Sequence, residues 1–271
     1  MREVNILGTQ TVGSDELSSI TSEFIGSCFN DDSEEMGEWI RNSFQNRGYF
    51  TSSVENVHIK GDDPLSVPEP VAIEAEVQEG PRCVYGQIRF TGNHAFASNK
   101  LIAEFPVKKG DLFERSKIGT GLTKVIKLYV ADGYLEITMI PNSSIVGERI
   151  DFTIDVEECS QFRMGKLQIF AKAEQADKLR AAWSMSEAAV FDESYLEKYI
   201  ETNQALLPSD FTRDFVQVVI VGIPRLKCGC RSINSIRGPK LDRKMLTAIE
   251  KTSVSPDRRR LILVQGTEDS T

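Results

Sequence analysis

The chain has 271 residues, of which 40% are hydrophobic and 27% charged, and it carries a formal net charge of −8. That composition is typical of a folded globular protein, and the negative charge argues against a general affinity for nucleic acid or anionic membranes. The sequence contains no apolar run long enough to cross a bilayer as a helix, and its first residues lack the apolar core of a signal peptide.

Residues 1–81 contain a pattern of one strand, two helices and two further strands. Met36, Ile40 and Phe44 lie four residues apart and form one apolar helical face. Gly48 follows this helix, in a position suited to a left-handed C-cap. In chain order, the pattern predicts a strand at 4–7, helices beginning near 14 and 36, and strands at 54–59 and 71–77. We refer to such a β-α-α-β-β unit as a module.

The same order of elements recurs in residues 82–160. Ile88 and Phe90 predict an inward-facing first strand. One apolar stripe predicts a long helix and consists of Ile118, Leu122, Val125 and Tyr129. Like the helix before Gly48, this helix ends at a Gly-Tyr pair, Gly133 and Tyr134. The last strand is predicted from alternating apolar residues at Ile150, Phe152, Ile154 and Val156.

Residues 161–223 begin a third module whose pattern is incomplete, since no alternating final strand follows the strand predicted at 215–221. Residues 224–271 contain eleven basic and five acidic residues, and we interpret them as a disordered tail. The predicted fold class is α+β, with tandem modules that each pack a three-stranded sheet on two helices. Each module is expected to be compact by itself, with hinges near Gly80 and Ser160.

The sequence shows no arrangement of residues that would support catalysis. Neither His58 nor His94 lies beside a serine or cysteine in a recognisable nucleophile setting. Cys28 lies in the first module, Cys83 and Cys159 lie near opposite ends of the second, and the cysteines lack the paired spacing of a zinc site, which favours free thiols. We therefore predict no catalytic residue, no metal site, no cofactor and no enzymatic activity.

Several short motifs recur in a fixed order along the modules. Residues 79–93 join an acidic residue and a glycine to a strand that ends at Gly92 and Asn93. Gly110-Asp-Leu-Phe113 precedes the long helix, a Gly-Tyr pair ends it, and the last strand ends in Glu157 and Glu158. In this order the motifs resemble the POTRA (polypeptide-transport-associated) domain of the BamA-type outer-membrane assembly proteins, the bacterial surface antigen family. The resemblance is clearest over residues 82–165.

This resemblance implies a non-enzymatic module that binds proteins or peptides in outer-membrane protein assembly or polypeptide transport. It implies unfolded outer-membrane polypeptides or proteins of the assembly machinery as partners, and a location at the periplasmic face of the outer membrane. Family members normally carry a signal peptide and a C-terminal membrane β-barrel. The chain is therefore expected to be a shortened relative or a fragment, and to associate with the membrane only through partners or a missing barrel.

A three-stranded sheet leaves an edge strand whose free N–H and C=O groups can accept an extended peptide by β-augmentation. In the resembled family this edge is the second strand of the module, with counterparts here at 54–59 and 215–221. In the second module the resemblance places the peptide-binding edge at Leu135, Glu136, Ile137, Thr138, Met139 and Ile140. Leu135, Ile137 and Met139 are expected to face the core, and Glu136 and Thr138 to face outward.

The sequence is also compatible with two other hypotheses about the function. The chain is alternatively an intracellular enzyme or regulator that reuses the α+β module, or an inactive fragment of a longer barrel protein. A signal peptide encoded upstream in the same frame would favour the transport function. An activity lost on replacing one histidine or glutamate would favour the enzyme.

Overall fold

The computed structural model describes residues 1–28, 32–60, 71–169, 171, 173–207, 211, 216–220 and 261–266. Three sheets of three strands each follow one another along the chain, and two helices lie between the first and second strand of each sheet. In each sheet the strand that comes third in sequence lies in the centre. The predicted α+β class is therefore confirmed.

The first module contains β1 (Glu3–Leu7), α1 (Ser14–Ser22), α2 (Ser33–Gln45), β2 (Ser53–Lys60) and β3 (Ala72–Gln78). Strand β3 pairs parallel with β1 and antiparallel with β2. Its core brings together residues from both helices and the central strand, among them Ile20, Met36, Ile40, Phe44, Ile73 and Val77. The helical spacing seen in the sequence therefore marks the buried face of α2.

The second module contains β4 (Val84–Thr91), α3 (Ser98–Ile102), α4 (Arg115–Ala131), β5 (Thr138–Val146) and β6 (Arg149–Glu157). The strand order is β4-β6-β5, and β6 pairs parallel with β4. The predicted alternation in β6 is confirmed, because Ile150, Phe152, Ile154 and Val156 are all buried. Gly121 lies inside α4 against the ring of Phe105, where a side chain would collide.

The third module contains β7 (Arg163–Ile169), α5 (Ala173–Ala182), α6 (Glu193–Thr202), a 3₁₀ turn (Gln204–Leu206), β8 (Val216–Ile220) and β9 (Leu261–Gly266). Strand β9 occupies the centre of this sheet. The expectation of an unstructured tail without a final strand is therefore wrong for Leu261–Gly266. The rest of the predicted tail, 224–260 and 267–271, lies outside the described residues.

A glycine recurs at the end of the first strand in the two N-terminal modules. Gly8 and Gly92 have positive φ angles of 86° and 74°. A side chain at Gly8 would collide with the carbonyl oxygen of Val77, and one at Gly92 with that of Val156. Only glycine tolerates both this backbone conformation and this close approach.

A glutamate recurs after the central strand of the same modules and holds the loop that follows the first strand. Oε1 of Glu79 accepts hydrogen bonds from the backbone N–H groups of Gln10 and Thr11, at 2.8 and 2.6 Å. Oε1 of Glu158 accepts from the N–H groups of His94 and Ala95, at 2.7 and 2.9 Å. The acidic ends noted in the sequence are therefore structural clamps on these loops.

Each junction between modules is built on the glycine that ends the preceding long helix. The carbonyl oxygen of Gly48 accepts a hydrogen bond from the N–H of Cys83 at 2.8 Å. At the next junction the carbonyl oxygen of Gly133 accepts from the N–H of Phe162, also at 2.8 Å. Both glycines have positive φ angles, as expected of left-handed helix ends.

An apolar side chain two residues after each of these glycines reaches into the next module. The ring of Phe50 lies 5.0 Å from that of Phe113 and 6.3 Å from that of Phe152, both in the second module. Leu135 packs against the core of the third module. These contacts lie across both predicted hinges, and the compactness of each module by itself stays a prediction.

Candidate strand-binding edge

Strand β5 lies at the edge of the second sheet, beside the central strand β6. Its residues from Ile140 to Val146 are all exposed. Three of them are large hydrophobic residues, with exposed fractions of 57% for Ile140, 44% for Ile145 and 58% for Val146. The second sheet therefore presents one exposed strand with both main-chain and apolar side-chain groups available.

The turn before β6 fixes which main-chain groups of β5 point to the open edge. Gly147 and Glu148 form a two-residue turn, and the φ of 63° at Gly147 alone identifies it as type II′. In such a hairpin the flanking residues, Val146 and Arg149, form a hydrogen-bonded pair. Alternate residues of a strand direct their N–H and C=O groups to opposite sides. The outward set in β5 is therefore Met139, Pro141, Ser143 and Ile145.

Two independent observations agree with this assignment. The N–H of Val84 in β4 donates to the carbonyl oxygen of Glu148 at 2.8 Å, so the main chain of Glu148 faces β4 and that of Arg149 faces β5. Proline has no N–H to give to a neighbouring strand and is tolerated where that position faces solvent. Pro141 falls in the outward set, so it costs the pairing with β6 no hydrogen bond.

The residues predicted as the peptide-binding edge are only partly in this strand. Leu135 and Glu136 lie in the turn after α4, Ile137 precedes the strand, and Thr138, Met139 and Ile140 begin β5. Leu135, expected to face the core of its own module, is partly buried and packs against the core of the third module. Glu136 is exposed as predicted.

Thr138 also differs from the prediction. Its Oγ1 is buried and has no hydrogen-bond partner among the described residues, whereas the sequence pattern placed this side chain outward. By the parity of the hairpin, its main chain faces β6. The groups that this parity directs to the open side lie between Met139 and Ile145, and the binding of a peptide to this edge stays a prediction. Pro141 inside the strand and the Gly147 turn were the sequence signals that could have located it.

The opposite edge of the second sheet is less suited to strand addition. Strand β4 is irregular between Tyr85 and Ile88, where its register with β6 shifts. The N–H of Gln87 donates to Oδ1 of Asp151 at 2.7 Å, and this hydrogen bond, with Arg149 nearby, lowers the pKa of Asp151. An irregularity such as a bulge in an edge strand opposes pairing with another chain. Strand β5 is therefore the more available edge of this sheet.

The titratable groups of the described residues show structural roles. Burial raises the pKa of Tyr85 and of Tyr199 to about 12, and Tyr199 donates a hydrogen bond to the carbonyl oxygen of Leu179. His58 and His94 are both exposed, as expected. Within the described ranges there is no group of three or more His, Cys, Asp or Glu placed to hold a metal ion. The same part of the chain contains no helix long and apolar enough to span a membrane.

Comparison with known proteins finds one family model and several solved structures that are similar to this chain. Residues 84–159 match the POTRA model, described as a surface antigen variable number repeat. The crystal structure of Haemophilus influenzae BamA POTRA3-5 is similar with a TM-score of 0.61 and 15% identity, covering 97% of this chain and 94% of that one. BamA from Haemophilus ducreyi lacking POTRA domains 1-3 gives a TM-score of 0.45 and 21% identity, over 63% of this chain and 32% of that one.

Comparison with curated proteins gave no match. The family model covers the whole second module, from the first residue of β4 to just beyond β6, and includes the β5 edge. The BamA likeness extends the fold to the flanking modules, where the sheet order recurs. The helix-ending glycine and the glutamate clamp recur in the first module. Residues 84–159 therefore match the POTRA family, and the solved BamA structure shows that the fold of the chain is similar to that of consecutive POTRA domains.

Proposed function

We propose that this chain is a non-enzymatic protein-binding module in outer-membrane protein assembly or polypeptide transport, and that it binds extended polypeptides at β5. The observation that carries the proposal is the position of β5 at one edge of the second sheet, while the strand at the other edge, β4, is irregular. The match of residues 84–159 to the POTRA model supports the assignment to assembly or transport, and unfolded outer-membrane polypeptides or assembly proteins are the partners it suggests.

The binding reaction at this edge is the addition of a fourth strand. Met139, Ser143 and Ile145 offer N–H and C=O groups to an incoming strand, while Pro141 offers only its C=O. Each main-chain hydrogen bond contributes about 0.5–1.5 kcal/mol net, and none depends on the sequence of the peptide. An edge of this kind therefore suits clients that share an extended shape rather than a sequence.

The exposed side chains of β5 add an apolar preference to this main-chain recognition. Ile140 and Val146 lie on the same face of the strand, since side chains alternate with a period of two residues, and Ile145 lies on the other face. Cross-strand pairs of β-branched or aromatic residues contribute roughly 0.2–1 kcal/mol each. The strands of a future membrane barrel, which alternate apolar and polar residues, would match this arrangement.

Two neighbouring serines allow a matched test. Ser143 and Ser144 are both exposed, but the N–H of Ser143 is assigned to the open edge and that of Ser144 to β6. We expect Ser143→Pro to keep the wild-type circular dichroism and Tm, and to weaken binding of a ten-residue peptide of alternating Val and Thr by about tenfold or more, because one hydrogen bond is lost and the ring obstructs the edge.

Ser144→Pro should instead keep the edge but lose a bond to β6, which lowers the stability of the module by about 1–3 kcal/mol. Isothermal titration and thermal unfolding measure the two effects. A folded Ser143→Pro protein that binds the peptide as well as wild type would refute strand addition at β5. A wild-type protein that binds no such peptide would show that the edge is covered, and would also refute it.

A further inference from the structure

The central strand of the third sheet runs in the opposite direction to those of the other two sheets. In the first two modules the central strand is parallel to the first strand of the module. Strand β9 is antiparallel to β7, pairing Ile169 with Leu261 and Arg163 with Gly266, and it is parallel to β8. Strands β7 and β8 thus keep the antiparallel relation that β1 and β2 have, and only the strand between them is reversed.

The connection to β9 is also unlike that to the other central strands. Strands β2 and β3 are separated by residues 61–71, and β5 and β6 by a two-residue turn. Strand β9 follows β8 only after residues 221–260, and its parallel pairing with β8 requires a crossover rather than a tight turn. A remote segment therefore fills the position where each of the other modules uses its adjoining strand.

Strand β8 depends on this remote segment for its place in the sheet. The sheet order β7-β9-β8 leaves β9 as the neighbour of β8 among the described residues. Without β9, both β7 and β8 would present unpaired main-chain groups toward the same gap. Such a gap can pair with an added strand along both of its sides, whereas the β5 edge offers one side only.

We propose that the gap between β7 and β8 is a second strand-binding site, which β9 occupies in cis and which an extended peptide from another polypeptide can take over. The expected ligand is a strand of alternating apolar residues that runs parallel to β7, as β3 and β6 run parallel to the first strands of their modules. The reversed β9 shows that the gap also accepts the other direction. This proposal does not depend on strand addition at β5.

The test uses the full chain with a specific protease site inserted after Lys240. After cleavage, the fragment that begins at Leu241 should stay bound through β9 and co-elute with the rest of the chain. Excess labelled peptide with the sequence of residues 149–157, the central strand of the second module, should then displace the fragment and take its place. The uncut chain should bind the same peptide at least tenfold more weakly, because its own β9 is tethered at high effective concentration.

A peptide with proline in place of Phe152 and Ile154 is the matched control. Both residues direct their N–H groups to the same side of the strand, so this peptide loses its hydrogen bonds to one of the two strands that flank the gap. The proposal is overturned if the fragment separates on cleavage alone, if excess peptide leaves it bound, or if the proline peptide displaces it equally well. Ser143→Pro in the cleaved chain should leave displacement unchanged. Loss of displacement in that variant would place the peptide at β5 and overturn the second site.

Discussion

Ala188 adopts a backbone conformation that the preceding module gives to a glycine. The N–H of Gly110 donates to the carbonyl oxygen of Tyr85, and the N–H of Ala188 to that of Met164, each at 2.8 Å. Both residues have positive φ, 90° at Gly110 and 64° at Ala188. The two positions are therefore equivalent. A residue with a Cβ pays about 1–2 kcal/mol for this conformation.

The two substitutions that exchange these residues should have opposite effects. Ala188→Gly should stabilise the third module by about 1 kcal/mol, and Gly110→Ala should destabilise the second by a similar amount. Beyond the residues adjacent in the chain, no atom of the described residues lies within 4 Å of a Cβ placed at Gly110, so backbone strain is the expected cause there. Native-state hydrogen exchange measures each module separately. Equal or inverted signs for the two variants would contradict the equivalence.

The clamp formed by Glu79 predicts acid sensitivity in the first module. Burial acts to raise the pKa of Glu79, but hydrogen bonds from Thr11 and Gln10 outweigh it and hold the pKa below its ordinary value of 4.5. Because the folded state binds this proton less tightly than the unfolded chain, the stabilisation is fully present above the unfolded pKa. It is lost as the pH falls through the folded value.

Glu79→Gln should therefore be less stable than wild type at neutral pH, and the difference should shrink below about pH 4.5. The free energy of unfolding, measured in urea from pH 7 to pH 3, tests this expectation. Glu74→Gln is the control, because that carboxylate pairs with Lys60 at the surface and should have a small effect. A stability difference that does not change with pH would exclude the charge of Glu79 as its cause.

The segment between α4 and β5 shows why the sequence pattern predicts the start of β5 too early. Leu135, Ile137 and Met139 alternate with polar residues and resemble a half-buried strand, yet the strand begins only at Thr138. Leu135 is apolar because it packs into the next module, as Phe50 does at the preceding junction. A period-two pattern cannot distinguish a residue that packs in its own sheet from one that packs in a neighbour.

This packing predicts that a substitution in one module weakens another. Leu135→Ala should lower the protection of amides in α5 and α6 of the third module, with a loss of about 1–3 kcal/mol for a partly buried leucine. The amides of β6 in the second module should change little. Ile140→Ala is the control, since that side chain is 57% exposed. Greater loss in β6 than in α5 would contradict this assignment of Leu135.

Helices and strands whose burial shows in their own sequence pattern can be predicted from the sequence. Strands whose place in a sheet depends on a distant segment cannot. The stripe of α2 and the alternation of β6 correspond to buried faces, since each residue reports its own environment. Strand β9 could not be predicted, because Leu261–Gly266 follows a long segment and pairs in the reverse direction. The β5 edge was located only approximately, since the resemblance indicated the strand but not its register.

At the scale of the whole chain, the modules share a structural plan that does not by itself specify a client. Helix-ending glycines, glutamate clamps and a central third strand recur where the sequence repeats them. The proposed binding function rests instead on a difference between two strands of the second module: β5 is exposed, and β4 is irregular. The central claim is therefore that β5, and in particular its outward main chain, binds extended polypeptides.

Residue-resolved amide exchange by NMR, with and without the alternating Val and Thr peptide, tests this claim most directly. We expect the peptide to slow exchange at Met139, Ser143 and Ile145, whose N–H groups are assigned to the open edge. The amides of Asn142 and Ser144 should already be protected by β6 and should change little. Protection that appears along β4 instead, or equally at all residues of β5, would show that the peptide does not add to the outward main chain of β5.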